Sequence, residues 1–299
     1  MILDMDTGID DAVAIALALG SSDADVLAIT SVAGNAPVRL VTRNCLLLNE
    51  LLGGRAVVSA GAERPLKKRL LTAQEVHGAD GLGGNAGSLP EPSTTPTDEP
   101  AHELLARLPL EHPGEITLVA TGPLTNVALA LRADPDALAS YARIVSMGGA
   151  FDVPGNTGPV AEFNVYVDPE AASEVLSSGL DITLVPLDAT TGAVLSRGDL
   201  ESRDAGRRVS PDRPGRDAAE ILYRALDHYM EFQLDESGLD GGYMHDPLAV
   251  AAALFPDMLR TRELQVDVPT DGPDRGRTVS APVREDAPAG GRGVRVAFG

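Results

Sequence analysis

Tryptophan is absent, and aromatic residues make up only 3% of the 299 positions. So few rings exclude a protein that binds single-stranded nucleic acid by base stacking. One cysteine, Cys45 in the apolar run Cys45-Leu46-Leu47-Leu48, rules out an intrachain disulfide framework. It fits a reducing compartment, and core packing is its expected role. Lysine is nearly missing too: Lys67 and Lys68, inside the basic stretch Arg64–Arg69, are the only two. That stretch reads as a solvated loop face. Against 24 Lys and Arg stand 44 Asp and Glu, a formal net charge of −20. Such a field repels nucleic-acid backbones and anionic membranes and disfavours heavily phosphorylated ligands. No apolar run reaches the ~18 residues needed to span a bilayer. No signal-peptide pattern precedes the first apolar segment. A cytoplasmic protein with neither membrane nor nucleic acid as partner is expected.

What is present is enough apolar residue, 43% at a mean hydropathy of 0.00, for one large α/β domain or two smaller ones. Apolar runs and helical patterns alternate. Strands are expected at 1–5, 25–32, 56–60, 115–120, 142–147 and 181–186. Helices are expected at 10–19, 37–52, 99–108, 124–132, 168–178, 217–234 and 247–254. This alternation predicts a mostly parallel, doubly wound (Rossmann-like) α/β sheet flanked by helices. Short strands at 263–268, 277–281 and 293–297 belong at a sheet edge or in a small separate sheet. Segment 88–100 is a surface connection rich in breakers, and 205–216 and 235–243 read as polar, mobile segments. No linker marks a boundary, so residues 1–299 are taken as one domain.

Chemistry concentrates at the first strand-to-helix junction, where Asp4, Asp6, Asp10 and Asp11 fall within eight residues. Gly8 allows the tight turn between strand and helix. In open α/β sheets, ligands bind at the carboxyl ends of strands, where this turn lies. Two like charges about 4 Å apart repel by roughly 4 kcal/mol at an effective dielectric of 20. A cation, or a retained proton, is therefore expected, and an all-oxygen cluster favours Ca²⁺ or Mg²⁺. Helix capping alone needs one acid, not four. An EF-hand fails because its twelfth position, counted from Asp4, is Ile15 rather than a bidentate Glu. A haloacid-dehalogenase-type Mg²⁺ phosphohydrolase also opens with strand-Asp-x-Asp, with Asp4 as nucleophile and Asp6 as acid. Asp10 and Asp11 lie outside that pattern, and no later Lys motif completes it.

Further polar groups follow other apolar segments. Asn35, after the second strand, either caps the next helix or faces a cleft. The turn Thr121-Gly122-Pro123 can leave a main-chain carbonyl pointing into that cleft, and hard cations accept carbonyl ligands. Asn156, Glu162 and Asn164 offer groups suited to sugar hydroxyls, with Glu162 and Asn164 on one side of an extended segment; a solvated loop is the alternative. His77-Gly78-Ala79-Asp80-Gly81-Leu82-Gly83-Gly84 lacks any nucleotide fingerprint and suits a flexible active-site flap. Asp246-Pro247 reads as a helix N-cap with Pro at N1, or as a second acid site beside His245.

These segments resemble the inosine–uridine-preferring nucleoside hydrolase family. The opening Asp4-x-Asp6-x-Gly8-x-Asp10-Asp11-Ala12 is similar to its signature, with Thr7 where many members carry Pro. Four more blocks occur in family order: His77-Gly78-x-x-Gly81-Leu82-Gly83, Gly122-Pro123-Leu124-x-Asn126, Ala161-Glu162-Phe163-Asn164 with Asp168-Pro169, and His245-Asp246-Pro247. They span nearly the whole chain. The resemblance implies hydrolysis of a ribonucleoside to free base and ribose. Asp6, Asp11, Asp246 and the Thr121 carbonyl would hold Ca²⁺, together with two ribose hydroxyls and a water. Asp10 would be the general base, and Asp4 would orient the others. Asn35, Met147, Asn156, Glu162 and Asn164 would grip the ribose. His245 would sit near the base and protonate it. The chemistry suits these parts: oxocarbenium character builds on the ribose and nearby carboxylates stabilise it. Ca²⁺ would lower the pKa of its water and template the sugar diol. Tyr223, Tyr229 and Gln233 on the helix before His245, and His77 from the loop, are candidate base contacts, though packing accounts equally well for Tyr223. The preference leans to broad or pyrimidine-tilted. A homodimer or homotetramer is implied. A non-catalytic nucleoside or ribose sensor on the same fold is the alternative from another class.

Overall fold

A computed structural model describes residues 1–84, 89–204, 216–283 and 293–298. Its spine is six short parallel strands: β1 (Ile2–Met5), β2 (Ala28–Ser31), β3 (Val57–Ala60), β4 (Thr117–Ala120), β5 (Arg143–Met147) and β6 (Ile182–Val185). Strands β7 (Val194–Ser196) and β8 (Gly241–Tyr243) pair antiparallel in a separate small sheet. Three more, β9 (Arg260–Asp267), β10 (Val279–Pro282) and β11 (Val294–Phe298), complete the main sheet, whose order is β10-β9-β11-β6-β5-β4-β1-β2-β3. The tail strands therefore extend the main sheet. β11 runs parallel beside β6, and β9 and β10 close that edge antiparallel.

Burial on both faces explains the composition of the central strands. All four residues of β1 are buried, and they alternate between layers. Leu3 and Met5 join one core with Ile15 of α1 (Ile9–Gly20), Val41 and Leu48 of α2 (Val38–Leu51), and Val250 of α12 (His245–Leu254). Ile2 joins the opposite core with Leu104 of α4 (Ala101–Glu111), Val127 of α5 (Thr125–Ala133) and Val175 of α8 (Pro169–Leu176). Cys45 packs in the first core as expected.

Strand order places the site. From β1 the chain steps outward to β2 and β3, whereas from β4 it steps the other way to β5 and β6. β1 and β4 are adjacent, so connections leave their carboxyl ends in opposite directions and open a crevice there. Asp6 follows β1, and Thr121 follows β4.

Several local expectations change. Residues 235–237 continue α11 (Arg216–Ser237), and 241–243 form β8; segment 205–215 lies outside the described residues. Gly8 has an ordinary φ of −91°. Its need is spatial instead: an added Cβ would sit 2.7 Å from His77 Nδ1. Among the described residues no helix is long and apolar enough to cross a membrane.

Candidate active site

The crevice holds a cavity of about 410 Å³. Its floor is acidic. Asp6 and Asp11 are fully buried, and Asp10 and Asp246 keep 5% and 4% of their surface exposed at the cavity wall. One carboxylate oxygen each from Asp10, Asp11 and Asp246 lies within 4.8 Å of the others. Ligands at opposite sides of a cation with Ca²⁺–oxygen distances of 2.3–2.6 Å stand about that far apart. Asp6, expected in this trio, lies beside it. Its Oδ2 accepts the Asn35 backbone N–H at 2.7 Å, and its Oδ1 is buried with no partner. The chain approaches Asp6 so closely that a Cβ on Gly34 would stand 2.0 Å from Oδ2.

Burial and mutual repulsion push these acids toward protonation. Asp6 rises well above the usual carboxylate range through burial, then the charge of Asp11. Burial and Asp11 push Asp10 up to about 7. Burial raises Asp11, and burial with the Asp10 charge raises Asp246 well above its ordinary value. The Asp10 and Asp246 carboxyl groups are close enough to feel each other directly. Among the described residues no lysine or arginine lines the cavity. A buried cluster that repels itself and keeps an orphaned oxygen fits a hard cation.

Asp11 is the best anchored of the four. Gly8 N donates to its Oδ2 at 2.8 Å, Asn35 Nδ2 to the same oxygen at 3.3 Å, and the Thr121 hydroxyl to Oδ1 at 2.7 Å. The Thr121 carbonyl accepts Asn164 Nδ2 at 2.6 Å, which leaves one of its two lone pairs for another partner. Asp4 lies below, accepting from Thr30 Oγ1 at 2.6 Å and Asn126 Nδ2 at 2.8 Å. It is fully buried and does not line the cavity. A phosphoryl group has no route to it, which removes the nucleophile of the phosphohydrolase alternative.

Two capping expectations are corrected. Asn35 does not cap α2, which starts after Pro37; its side chain and amide serve Asp11 and Asp6. Asp246 does not cap α12. The flanking residue is Met244, and Asp246 sits inside the first turn, turned into the cluster. Glu162 and Asn164 also depart from the extended geometry. Glu162 precedes α7 (Phe163–Val167) and accepts from the backbone of Asn164, Val165 and Gly149, and Asn164 lies within that helix. Glu162 therefore clamps the turn after β5 to α7, and burial raises its pKa.

Of the residues expected to touch substrate, Asn35, Met147, Asn156, Glu162, Asn164, His77, Tyr229, Gln233 and His245 all line the cavity. Tyr223 does not; it is an exposed residue of α11. His77 ends α3 (Gln74–His77), and its ring stacks on Tyr229 with centroids 6.0 Å apart. Its loop is tied down rather than free: Asp80 Oδ1 accepts from Leu82 N and Gly84 N, each at 2.8 Å, and Leu82 is fully buried. Phe232, Glu236 and Tyr243 also line the cavity and were not anticipated. A signal existed for two of them. Tyr229, Phe232, Gln233 and Glu236 follow the i, i+3, i+4, i+7 spacing of one helix face.

A model of the inosine-uridine preferring nucleoside hydrolase family matches residues 1–298. The chain belongs to this family. Relatives named pyrimidine-specific ribonucleoside hydrolase RihA, from Salmonella arizonae and Citrobacter koseri, are each 44% identical over 275 residues, 91% of this chain, and the match covers 85% and 84% of theirs. A plant nucleoside hydrolase structure superposes with a TM-score of 0.90 at 38% identity, covering all of this chain and 93% of that one. A purine-preferring ribonucleoside hydrolase from Gardnerella vaginalis gives 0.89 at 31%, covering all of this chain and 92% of its own. The chain is thus a nucleoside hydrolase by family, an enzyme class acting on N-glycosyl bonds; that family is metal-dependent, and Asp10, Asp11 and Asp246 form a cluster able to hold a metal ion.

Proposed function

We propose that this nucleoside hydrolase cleaves ribonucleosides to ribose and free base, with a pyrimidine-tilted preference, using Ca²⁺ held by Asp6, Asp11, Asp246 and the Thr121 carbonyl. The observation that carries this reading is the self-repelling carboxylate cluster at the cavity floor, where Asp10 and Asp246 face the cavity and Asp6, beneath them, keeps an orphaned oxygen. When bound, the cation supplies charge to offset that repulsion, acidity for a water and an anchor for a sugar diol.

The chain's own residues do the rest. The C1′–N bond breaks with its electron pair leaving on the base, a water oxygen bonds C1′, and the water's proton passes to a carboxylate. Asp10 faces the cavity and is the assigned acceptor. A second allocation has a specific support: Asp10 belongs to the tight trio, whereas Asp6 Oδ1 has no partner. In that case Asp10 ligates and Asp6 takes the proton. The carboxylates also stabilise positive charge developing on the ribose. Asn35, Asn156, Glu162, Asn164 and Met147 position the sugar, and His77, Tyr229, Gln233 and His245 meet the base.

The pyrimidine tilt is supported by the 44%-identical relatives, which are named pyrimidine-specific. A cytoplasmic homodimer or homotetramer completes the reading, and sedimentation of the purified protein tests the assembly. The deciding experiment is ribose release from uridine, cytidine, inosine, adenosine and guanosine, with and without chelator, for wild type, Asp6→Asn and Asp10→Asn. The variant that retains Ca²⁺ in a direct titration but loses turnover identifies the proton acceptor. No ribose from any nucleoside by the Ca²⁺-loaded protein overturns the assignment.

A further inference from the structure

We infer that Thr190 is a positioning residue that holds His245 in one neutral tautomer, with the hydrogen on Nε2 facing the base. The inference rests on the reading of His245 as a group that meets the base. Thr190 closes the short helix α9 (Leu187–Thr190) after β6, and its hydroxyl lies 2.7 Å from His245 Nδ1. Either atom is able to donate, but only one choice satisfies both groups. Thr190 is fully buried, and its hydroxyl has no other hydrogen-bond partner among the described residues. If Nδ1 donated, the hydroxyl proton would be left in the interior without an acceptor, which buried polar groups avoid. The hydroxyl therefore donates, Nδ1 accepts, and the ring hydrogen sits on Nε2.

The carrier of Thr190 is rigid. Leu187 N donates to Gly149 O at 2.9 Å, and the Asp188 carboxylate accepts from Phe151 N and Asp152 N at 2.9 and 2.7 Å. These bonds tie α9 to the turn after β5 that Glu162 also clamps. Tyr243 stacks on the His245 ring at 5.4 Å, which fixes the ring plane. His77 reaches the same tautomer by another device: Ile9 N donates to its Nδ1 at 3.1 Å. The base side of the cavity thus presents two neutral imidazoles, each with Nδ1 occupied by a donor. A neutral imidazole with Nε2–H is a hydrogen-bond donor to a base as negative charge develops on it.

The test compares wild type, Thr190→Val and Thr190→Ser on uridine and on 4-nitrophenyl riboside, whose leaving group departs without a donor. ¹⁵N NMR of the histidine rings, with His245→Gln for assignment, reads the tautomer. Thr190→Val is expected to lower kcat/KM for uridine about tenfold or more while changing the aryl riboside by less than about threefold. Thr190→Ser is expected to restore uridine turnover, and the wild-type spectrum to show Nδ1 unprotonated. An Nδ1-protonated His245 in the wild type, equal losses on both substrates, or no rescue by serine overturns the inference. Absence of ribose release from both substrates in the wild type strikes instead at the hydrolase reading, and the NMR result stands independently of it.

Discussion

The floor and the rim of the cavity both carry carboxylates, in opposite physical states. Asp6, Asp10, Asp11 and Asp246 are buried, close together and shifted toward protonation. Glu75 and Glu236 at the rim are exposed. An exposed charge is solvated and screened, so its neighbours barely feel it. A buried charge must be neutralised by a proton or a cation. One residue type therefore does two jobs: the floor calls for a proton or a cation to neutralise it, and the rim sets a weak field at the entrance.

The largest effect should follow from breaking the floor. Asp11→Asn and Asp246→Asn each remove a carboxylate proposed to ligate the cation, and each is expected to lower kcat about a thousandfold. Calorimetric titration should show Ca²⁺ affinity falling in step. A variant that keeps both affinity and turnover would mean that the acid is structural and that the floor does not differ from the rim.

Metal removal probes the same contrast through stability. An unfolded aspartate titrates near 3.9, whereas burial pushes Asp4 up to about 6, and burial with the Asp11 charge pushes Asp10 up to about 7. Between these values the folded cation-free chain binds more protons than the unfolded one, so its stability falls as pH rises. For Asp4 alone the shift is worth about 3 kcal/mol. His77 and His245, pushed by burial down to about 3 and about 4, work in the opposite direction, because stability grows as pH rises from those values up to the unfolded one. The acids outnumber them. The difference in melting temperature between Ca²⁺-loaded and chelated protein is therefore expected to widen from pH 4 to pH 7. A difference that is flat with pH would show that the cation does not compete with protons at this cluster.

The same division governs how much of the site was legible in the sequence. Asp6, Asp10 and Asp11 are close in sequence because one tight turn at a strand end must gather them, and the apolar runs on either side mark that turn. The parallel sheet was legible because strands buried on both faces are continuous apolar runs. Asp246 and Asn35 were ambiguous. Asp before Pro and Asn before a helix satisfy local capping rules, and only tertiary packing turns both toward the cluster. The hairpin-like pairing of β7 with β8 was not legible, since three-residue strands separated by α10 (Arg197–Asp204) and α11 leave no period. Thr190 was invisible for a similar reason: one threonine in a short helix acquires meaning only from the ring 55 positions away.

At the rim, the aromatic groups are expected to act on binding rather than on bond breaking. Phe232 is partly buried on the cavity face of α11, three residues from Tyr229. Phe232→Ala removes a ring that can lie against a base, worth about 1 kcal/mol. We expect KM for uridine to rise about fivefold to tenfold with kcat nearly unchanged, and the aryl riboside to respond differently because its ring differs. An equal fall in kcat for both substrates would place Phe232 with the floor.

The smallest effect concerns the rim charges, and it sharpens the contrast most directly. In Glu75→Gln/Glu236→Gln two carboxylates leave the entrance of a cavity that no lysine or arginine lines among the described residues. If exposure makes them weak, kcat/KM for neutral uridine changes by less than about twofold. A riboside whose base carries a positive charge, such as 7-methylguanosine, feels the field of the entrance during encounter. Its kcat/KM should fall about twofold to fivefold in the variant at low salt, and the difference should vanish at high salt, where exposed charges are screened. Salt is the discriminating variable, because the buried floor acids are screened far less. A salt-independent loss on both substrates would place Glu75 or Glu236 against the bound ligand, and the boundary between floor and rim would then lie farther out than burial alone suggests.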